Sequence, residues 1–246
     1  MRQFDVLVWD STEDQTQDNP PFTPPFTDDA LGWFYGKDLN ASLTDSEAEW
    51  IVFVHRSIKV DRQFLNDLAE SISSFPMVDA FAPRIHCTKN NSFHSGFRLD
   101  ARKGLSMLDE NAKMRFVAAP HPLISAYSRR IVQRTGAMDT SLSGKAQAID
   151  YALRMLHAGG KMFSLPYLVA NVPEPIDDTL YIDQESLDSF AFALFKSLGL
   201  WENRGFLLRH FGILKALWKR RKELEEKRNK AILLSKLEKN FLKDLG

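Results

Sequence analysis

The sequence predicts an α/β protein, and three observations carry that prediction. Short β-rich runs recur at 4–9, 50–54, 78–85, 116–119, 124–127 and 161–165. Between several of them, apolar residues fall on one helical face, as Phe64, Leu65, Leu68 and Ile72 do. The run Trp-Ile-Val-Phe-Val at 50–54 is apolar throughout, which suits a strand covered on both faces. Strands alternating with helices define the class. With 246 residues, 44% of them apolar, the chain can form one large domain or a domain with an appendage.

Each element follows from local chemistry. Residues 4–9 alternate and end in the polar turn Asp10-Ser-Thr-Glu-Asp14. Residues 19–26 hold four prolines, which exclude helix and central strand and leave an extended surface loop. Residues 38–48 suit a helix with Asp38 or Asn40 near its start. Asp61 is a candidate N-cap for the helix carrying Phe64 to Ile72. Residues 87–113 are polar and irregular, a hairpin or an excursion over a site. Ser128 opens a helix that Gly136 stops, and 146–158 is helical until Gly159-Gly160. Apolar residues at 187, 190, 191, 194, 195 and 198 mark a further helix over 186–200, and from Phe206 the pattern is helical with a break.

Bulk numbers narrow the setting. A lone cysteine, Cys87, excludes an intrachain disulfide and fits a reducing compartment. No window approaches eighteen consecutive apolar residues, and the N-terminus has no signal-like apolar core, so a cytoplasmic protein is expected. Net charge is zero, but residues 209–243 hold twelve Lys/Arg and four Glu. That leaves twenty Lys/Arg against twenty-eight Asp/Glu elsewhere, an acidic body with a basic appendage. The expected division is 1–180 for the body and 181–246 for a helical extension.

Several segments, in order, resemble the inverting family-2-type glycosyltransferases of the GT-A fold. Phe4 to Thr16 resembles a family strand running into its acidic nucleotide-binding turn. Tyr35-Gly-Lys-Asp-Leu-Asn-Ala-Ser42 is similar to the stretch preceding the family's D-x-D strand, and 50–60 to that strand itself. Ser128 to Asp139, 146–154 and 159–166 resemble the acceptor-side helix, the "ED" helix and the strand after it. The resemblance covers roughly residues 4–172. It implies a GT-A-like mixed sheet flanked by helices, a nucleotide-sugar donor, and Mn or Mg held by the D-x-D acids. It also implies that the chain starts at the second family strand, without the first strand and helix.

At the chemical positions the sequence departs from the family. The D-x-D place reads His55-Arg56-Ser57, and the "ED" place reads Gln147-Ala148 with Asp150 following. Hard divalent cations prefer carboxylate oxygen, so His55 would suit a softer ion, while Arg56 suits a diphosphate. Asp10, Asp14, His55 and Arg56 are therefore the donor-binding candidates, with His55 the metal candidate. Turn chemistry and strand-end polarity are the plain alternatives. Asp139, Asp150 and His121 are the catalytic candidates on the acceptor side. Asp150 with Arg154 reads equally as a helix salt bridge. His86-Cys87 with His94 has a metal-site composition but matches no zinc spacing.

The resulting expectation is a glycosyltransferase-like protein of cell-surface polysaccharide synthesis, with a glycan or lipid-linked acceptor. The alternative is an inactive GT-A-like scaffold or binding subunit. Phe211, Leu214, Leu217 and Trp218 beside Lys219-Arg-Arg-Lys222 suit peripheral contact of 211–222 with the inner face of a membrane. Packing on the domain, or a homo-oligomer through Leu224, Ala231, Leu234 and Phe241, is the competing reading. No base-reading module is evident, so nucleic acid is not expected.

Overall fold

The structure, a computed structural model, describes residues 2–9, 23–26, 28–35, 39–100, 102–108, 113–142, 144–173, 183–199, 203–233 and 235. Its centre is an eight-stranded mixed sheet. The main path runs β2 (Leu31–Tyr35), β1 (Phe4–Trp9), β3 (Trp50–His55), β9 (Ile124–Ser128), β4 (Ala80–Cys87), β10 (Met162–Val172), β8 (Arg115–Phe116). A short strand β5 (Ser92–His94) pairs off β4, and β6 (Phe97–Asp100) pairs with β7 (Gly104–Met107) in a separate ribbon. β1 is parallel to both β2 and β3, and β4 to β10, whereas β9 is antiparallel to β3 and β4. The carboxyl ends of β1, β2, β3, β4 and β10 thus share one edge, where β9 begins.

The alternation of side chains explains the two-sided core. Leu7, Ile51 and Phe53 face one layer, with α3 (Arg129–Thr135), α4 (Gly144–His157) and α5 (Gln184–Ser197). Phe4, Val6, Val8, Trp50, Val52 and Val54 face the other, with α2 (Arg62–Ser74). α5 buries Phe190, Phe192, Leu194 and Phe195 in the same core as α4. Each such burial is worth about 1.5–3 kcal/mol, so this helix is anchored firmly. Phe206 of α6 (Arg204–Arg209) and Ile213 and Leu217 of α7 (Ile213–Lys219) reach that core too.

Several sequence expectations hold locally. The Asp61 carboxylate accepts from Phe64 N–H at 2.8 Å and caps α2. Ser128 caps α3, and Gly136 ends it at φ 77°. Others need correction. Among the described residues of 87–113 stand β5 and the antiparallel hairpin of β6 and β7, so the hairpin reading holds and the irregular one does not. β10 extends to Val172, well past 165, and absorbs Pro166 through a register shift between Ser164 and Val169. Only Arg115–Phe116 form β8, with Ala119 joined to Phe97 by one bridge.

β1 pairs directly with β3 in unbroken register from Phe4↔Trp50 to Trp9↔His55, so no strand separates them. A buried carboxylate fixes that register. Asp5 accepts from Ser46 Oγ at 2.9 Å, Glu47 N–H at 3.0 Å and Ala48 N–H at 3.1 Å, and pairs with Arg2 at 3.1 Å. Three donors from the turn before β3 therefore converge on one β1 side chain.

Candidate functional site

Chain direction defines where β1 parts from its neighbours. β1 leads to β2 on one side, and the chain returns through α1 (Leu39–Asp45) to β3 on the other side. That reversal is a topological switch point, and open α/β sheets bind ligands outside the carboxyl ends of the strands there. Trp9 and His55 end the two strands, with rings edge to face at 4.7 Å. Arg56 N–H donates to Trp9 O at 2.9 Å, and His55 N–H to Leu123 O at 2.7 Å. The turn 55–58 is thereby tied to its neighbours on both sides, and Arg56 follows directly on the end of β3. Asp10 and Asp14, the other donor-binding candidates, lie outside the described residues.

The same edge gathers further polar groups. His86 stacks on Phe93 at 4.4 Å and bonds Asn171 at 3.2 Å and Asn91 at 2.9 Å. His94 is buried, with Nδ1 3.1 Å from Met107 Sδ and Nε2 3.1 Å from Ser92 Oγ. His121 is buried beside it, its ring stacked on Phe97 at 5.8 Å and 6.3 Å from the His94 ring. Burial, aided by the charges of His94, Lys145 and His55, pushes His121 down to about 3, so the ring is neutral. Its Nδ1 accepts from Leu123 N–H at 3.2 Å, which leaves the proton on Nε2. In this arrangement His121 is a hydrogen-bond donor rather than a base.

His55 does not offer a metal-ready nitrogen at Nδ1, which accepts from Ser57 N–H at 3.2 Å and lies 2.8 Å from Ser57 Oγ. Among the described residues no group of three His, Cys, Asp or Glu is placed to hold a metal ion. Cys87 is buried, away from any such group. The described residues therefore do not fit the metal that the family resemblance implies.

Asp139 and Asp150 are brought together, but in a buried ion cluster. Lys196 of α5 lies 2.8 Å from Asp139 Oδ2 and 2.6 Å from Asp150 Oδ1. Arg154 Nε pairs with Asp150 Oδ2 at 2.9 Å, the i, i+4 bridge read from sequence. Lys227 of α8 (Arg221–Leu233) reaches both Asp139 oxygens at 2.8 Å, and Ser141 donates to Oδ1 at 2.7 Å. Burial raises the Asp139 carboxyl, but bonds from Lys196, Lys227 and Ser141 outweigh it and hold it well below the usual range. A carboxylate so held is a weak proton acceptor. Gln147, at the family's base position, donates to Asp139 O at 3.2 Å. The residues that sequence reasoning missed were Lys196 and Lys227. The signal was a lysine inside the otherwise apolar run Phe-Ala-Leu-Phe-Lys-Ser-Leu at 192–198.

No family model matches the sequence, and no curated protein matches it. Solved structures do match. GalNAc-T7 in complex with UDP, GalNAc and Mn2+ matches at TM-score 0.57 and 10% identity, over 93% of this chain and 54% of that one. The mannosyltransferase PcManGT from Pyrobaculum calidifontis, with GDP-Man and Mn2+, matches at 0.42 and 12% identity, over 95% and 73%. S. aureus TarS 1-349 with UDP-GlcNAc matches at 0.47 and 13%, over 78% and 65%. The first likeness shows the fold: a mixed α/β sheet flanked by helices, similar to that of GT-A glycosyltransferases. The chain spans about half the length of the GalNAc-T7 chain it matches.

Proposed function

We propose that this protein binds a nucleotide-sugar at the carboxyl ends of β1 and β3 and acts as a glycosyltransferase on a glycan or glycolipid acceptor in cell-surface polysaccharide synthesis. The observation that carries the reading is the switch point in a GT-A-like fold, where Trp9 and His55 end the two strands and Arg56 follows on β3. A diphosphate is recognised best by a planar guanidinium in bidentate contact, and Arg56 supplies one where the family carries acids. An aromatic ring beside it, Trp9, gives a base or sugar a face to stack on. Mn2+ accompanies UDP and GalNAc in GalNAc-T7; here a cation contributed by the chain itself would meet the phosphates instead.

One observation favours a second reading, a GT-A-like scaffold that binds without transferring. Asp139 and Asp150 are both neutralised by lysine and arginine in the protein interior. Calorimetry with UDP- and GDP-sugars, with and without Mn2+, on wild type, His55→Ala and Arg56→Ala tests the donor site. Saturable binding should fall about 10- to 100-fold in Arg56→Ala, the loss expected for a charged hydrogen bond. Absence of binding to every nucleotide would overturn the donor site, and binding without transfer to any acceptor would select the scaffold.

A further inference from the structure

The C-terminal helices leave an apolar patch on the surface that the fold does not use. Leu208 is 80% exposed, Phe211 73%, Leu214 36% and Trp218 69%. The geometry of α7 explains the arrangement. Ile213 and Leu217, four apart, face the core; Leu214 and Trp218, also four apart, are rotated one position outward. Lys215 and Lys219 follow on the next row and are exposed. Phe211 stands in the turn before α7, and Leu208 at the end of α6. The four side chains thus come from two short helices and the turn between them.

The segment that carries this patch has charge of one sign. Residues 203–222 carry seven Lys/Arg and no Asp or Glu. Among the described residues Arg209, Lys215, Lys219 and Lys222 make no ion pair, while the Arg221 guanidinium lies 4.4 Å over the Trp218 ring. Beside the patch, Lys215, Lys219 and Arg220 line a groove of about 390 Å³ with Asp188, floored by Phe192 and Leu217. Further along α8, Lys227 pairs with Glu223 and Lys230 with Glu226. The unmatched cations are therefore concentrated at the exposed aromatic residues rather than spread along the extension.

We propose that the patch of Leu208, Phe211, Leu214 and Trp218, with its rim of lysines and arginines, docks the protein on an anionic lipid bilayer. Aromatic and leucine side chains enter the headgroup boundary, where Trp is favoured for its apolar ring and polar N–H. The cations meet lipid phosphates, each adding attraction that salt screens. Among the described residues no helix is long and apolar enough to cross a membrane. A two-fold contact of the patch with its own copy would bring the same cations together and be repelled; an anionic bilayer is complementary to both parts of the patch.

The test is co-sedimentation of the full chain with vesicles of phosphatidylcholine alone, and of phosphatidylcholine with 30 mol% phosphatidylglycerol (roughly physiological anionic content). Binding is expected only to the anionic vesicles, and to weaken at high salt. Phe211→Ser with Trp218→Ser should weaken partition by about tenfold or more through lost apolar burial. Lys215→Gln with Lys219→Gln should weaken it about 30-fold on anionic vesicles. Both pairs are exposed, and unchanged circular dichroism would confirm that the fold persists. No binding to anionic vesicles, or binding that both variants retain, would overturn the proposal. So would a dimer in sedimentation that Phe211→Ser/Trp218→Ser converts to monomer, since the patch would then be a protein interface.

Discussion

Replacing Lys196 by methionine isolates the ion cluster that joins α4, α5 and α8. The ammonium is 3% exposed and lies 2.6 Å from Asp150 Oδ1 and 2.8 Å from Asp139 Oδ2. Methionine keeps most of the stem volume but removes the charge. Breaking a buried pair in this way costs about 3–5 kcal/mol, because the remaining charge stays desolvated. Asp150 keeps Arg154 and Asp139 keeps Lys227, both of them partly exposed, so about 3 kcal/mol is expected. In a chain of this size that lowers the melting midpoint by roughly 6–12 °C. Urea unfolding followed by circular dichroism reads the free energy directly. The pH dependence has a definite sign. Asp139 is depressed in the fold, so its contribution is present above its unfolded value of 3.8 and is lost as pH falls through the depressed one. Removing Lys196 lessens the depression, and the gap between wild type and variant should narrow below about pH 4. A loss under about 1 kcal/mol at pH 7 would refute the cluster as a structural joint.

Two further predictions concern stability, beside the donor-binding and vesicle experiments. His121 falls from 6.5 to about 3 on folding, so its contribution is intact above pH 6.5 and is lost as pH falls toward 3. At pH 5 the loss is about 2 kcal/mol, and His121→Asn, which keeps an acceptor for Leu123 N–H, should flatten urea midpoints between pH 7 and 5. An unchanged slope would contradict the buried neutral ring; His157, lowered by its own burial, leaves a residual slope of the same sign. Gly96→Ala puts a methyl 2.7 Å from the Ala119 carbonyl oxygen at φ +51°, and should cost about 1–3 kcal/mol in the same assay. An unshifted midpoint would show that the backbone of 96–97 yields.

The sheet was legible where one physical signal dominated. Residues 50–54 are apolar because β3 is covered on both faces, and Asp61 and Ser128 bond locally, so composition alone located them. The ribbon over 97–107 is legible only as a hairpin of unstated bounds within 87–113. β6 and β7 are held by mutual pairing and by the long-range contact of Phe97 with Ala119, and neither leaves a local pattern. β10 was cut short at Pro166 because proline ordinarily ends a strand; the register shift that lets it continue depends on β4 alongside. The switch point was partly legible: His55-Arg56 was singled out, but the ring of Trp9 against His55 follows only from register. Asp139 and Asp150 stand separately among the acceptor-side candidates, with Arg154 alone read as a bridge partner of Asp150. Their partners Lys196 and Lys227 lie 46 and more residues away, a distance at which no sequence period speaks.

That last pairing bears on how the two ends of the protein are connected. The loop after Gly136 is held from several directions. Asn40 bonds Met138 N–H at 2.7 Å and Met138 O at 3.1 Å, Arg154 donates to Thr135 O and Ala137 O, and Gln147 donates to Asp139 O. Lys196 and Lys227 then grip the Asp139 carboxylate from α5 and α8. α8 buries only Ala231 of its own residues, so apolar packing does little to hold it. Its attachment is instead through charge: Lys227 to Asp139, Arg228 to Phe195 O, and the Arg220 guanidinium over the Phe192 ring at 3.8 Å. At this joint Asp139 and Asp150 meet the lysines of α5 and α8. One cation set is consumed in holding α8 to the body, and the other, on α6 and α7, is left facing outward. Two sets of cations thus differ in their surroundings: one meets carboxylates across the fold, and the other, among the described residues, meets none.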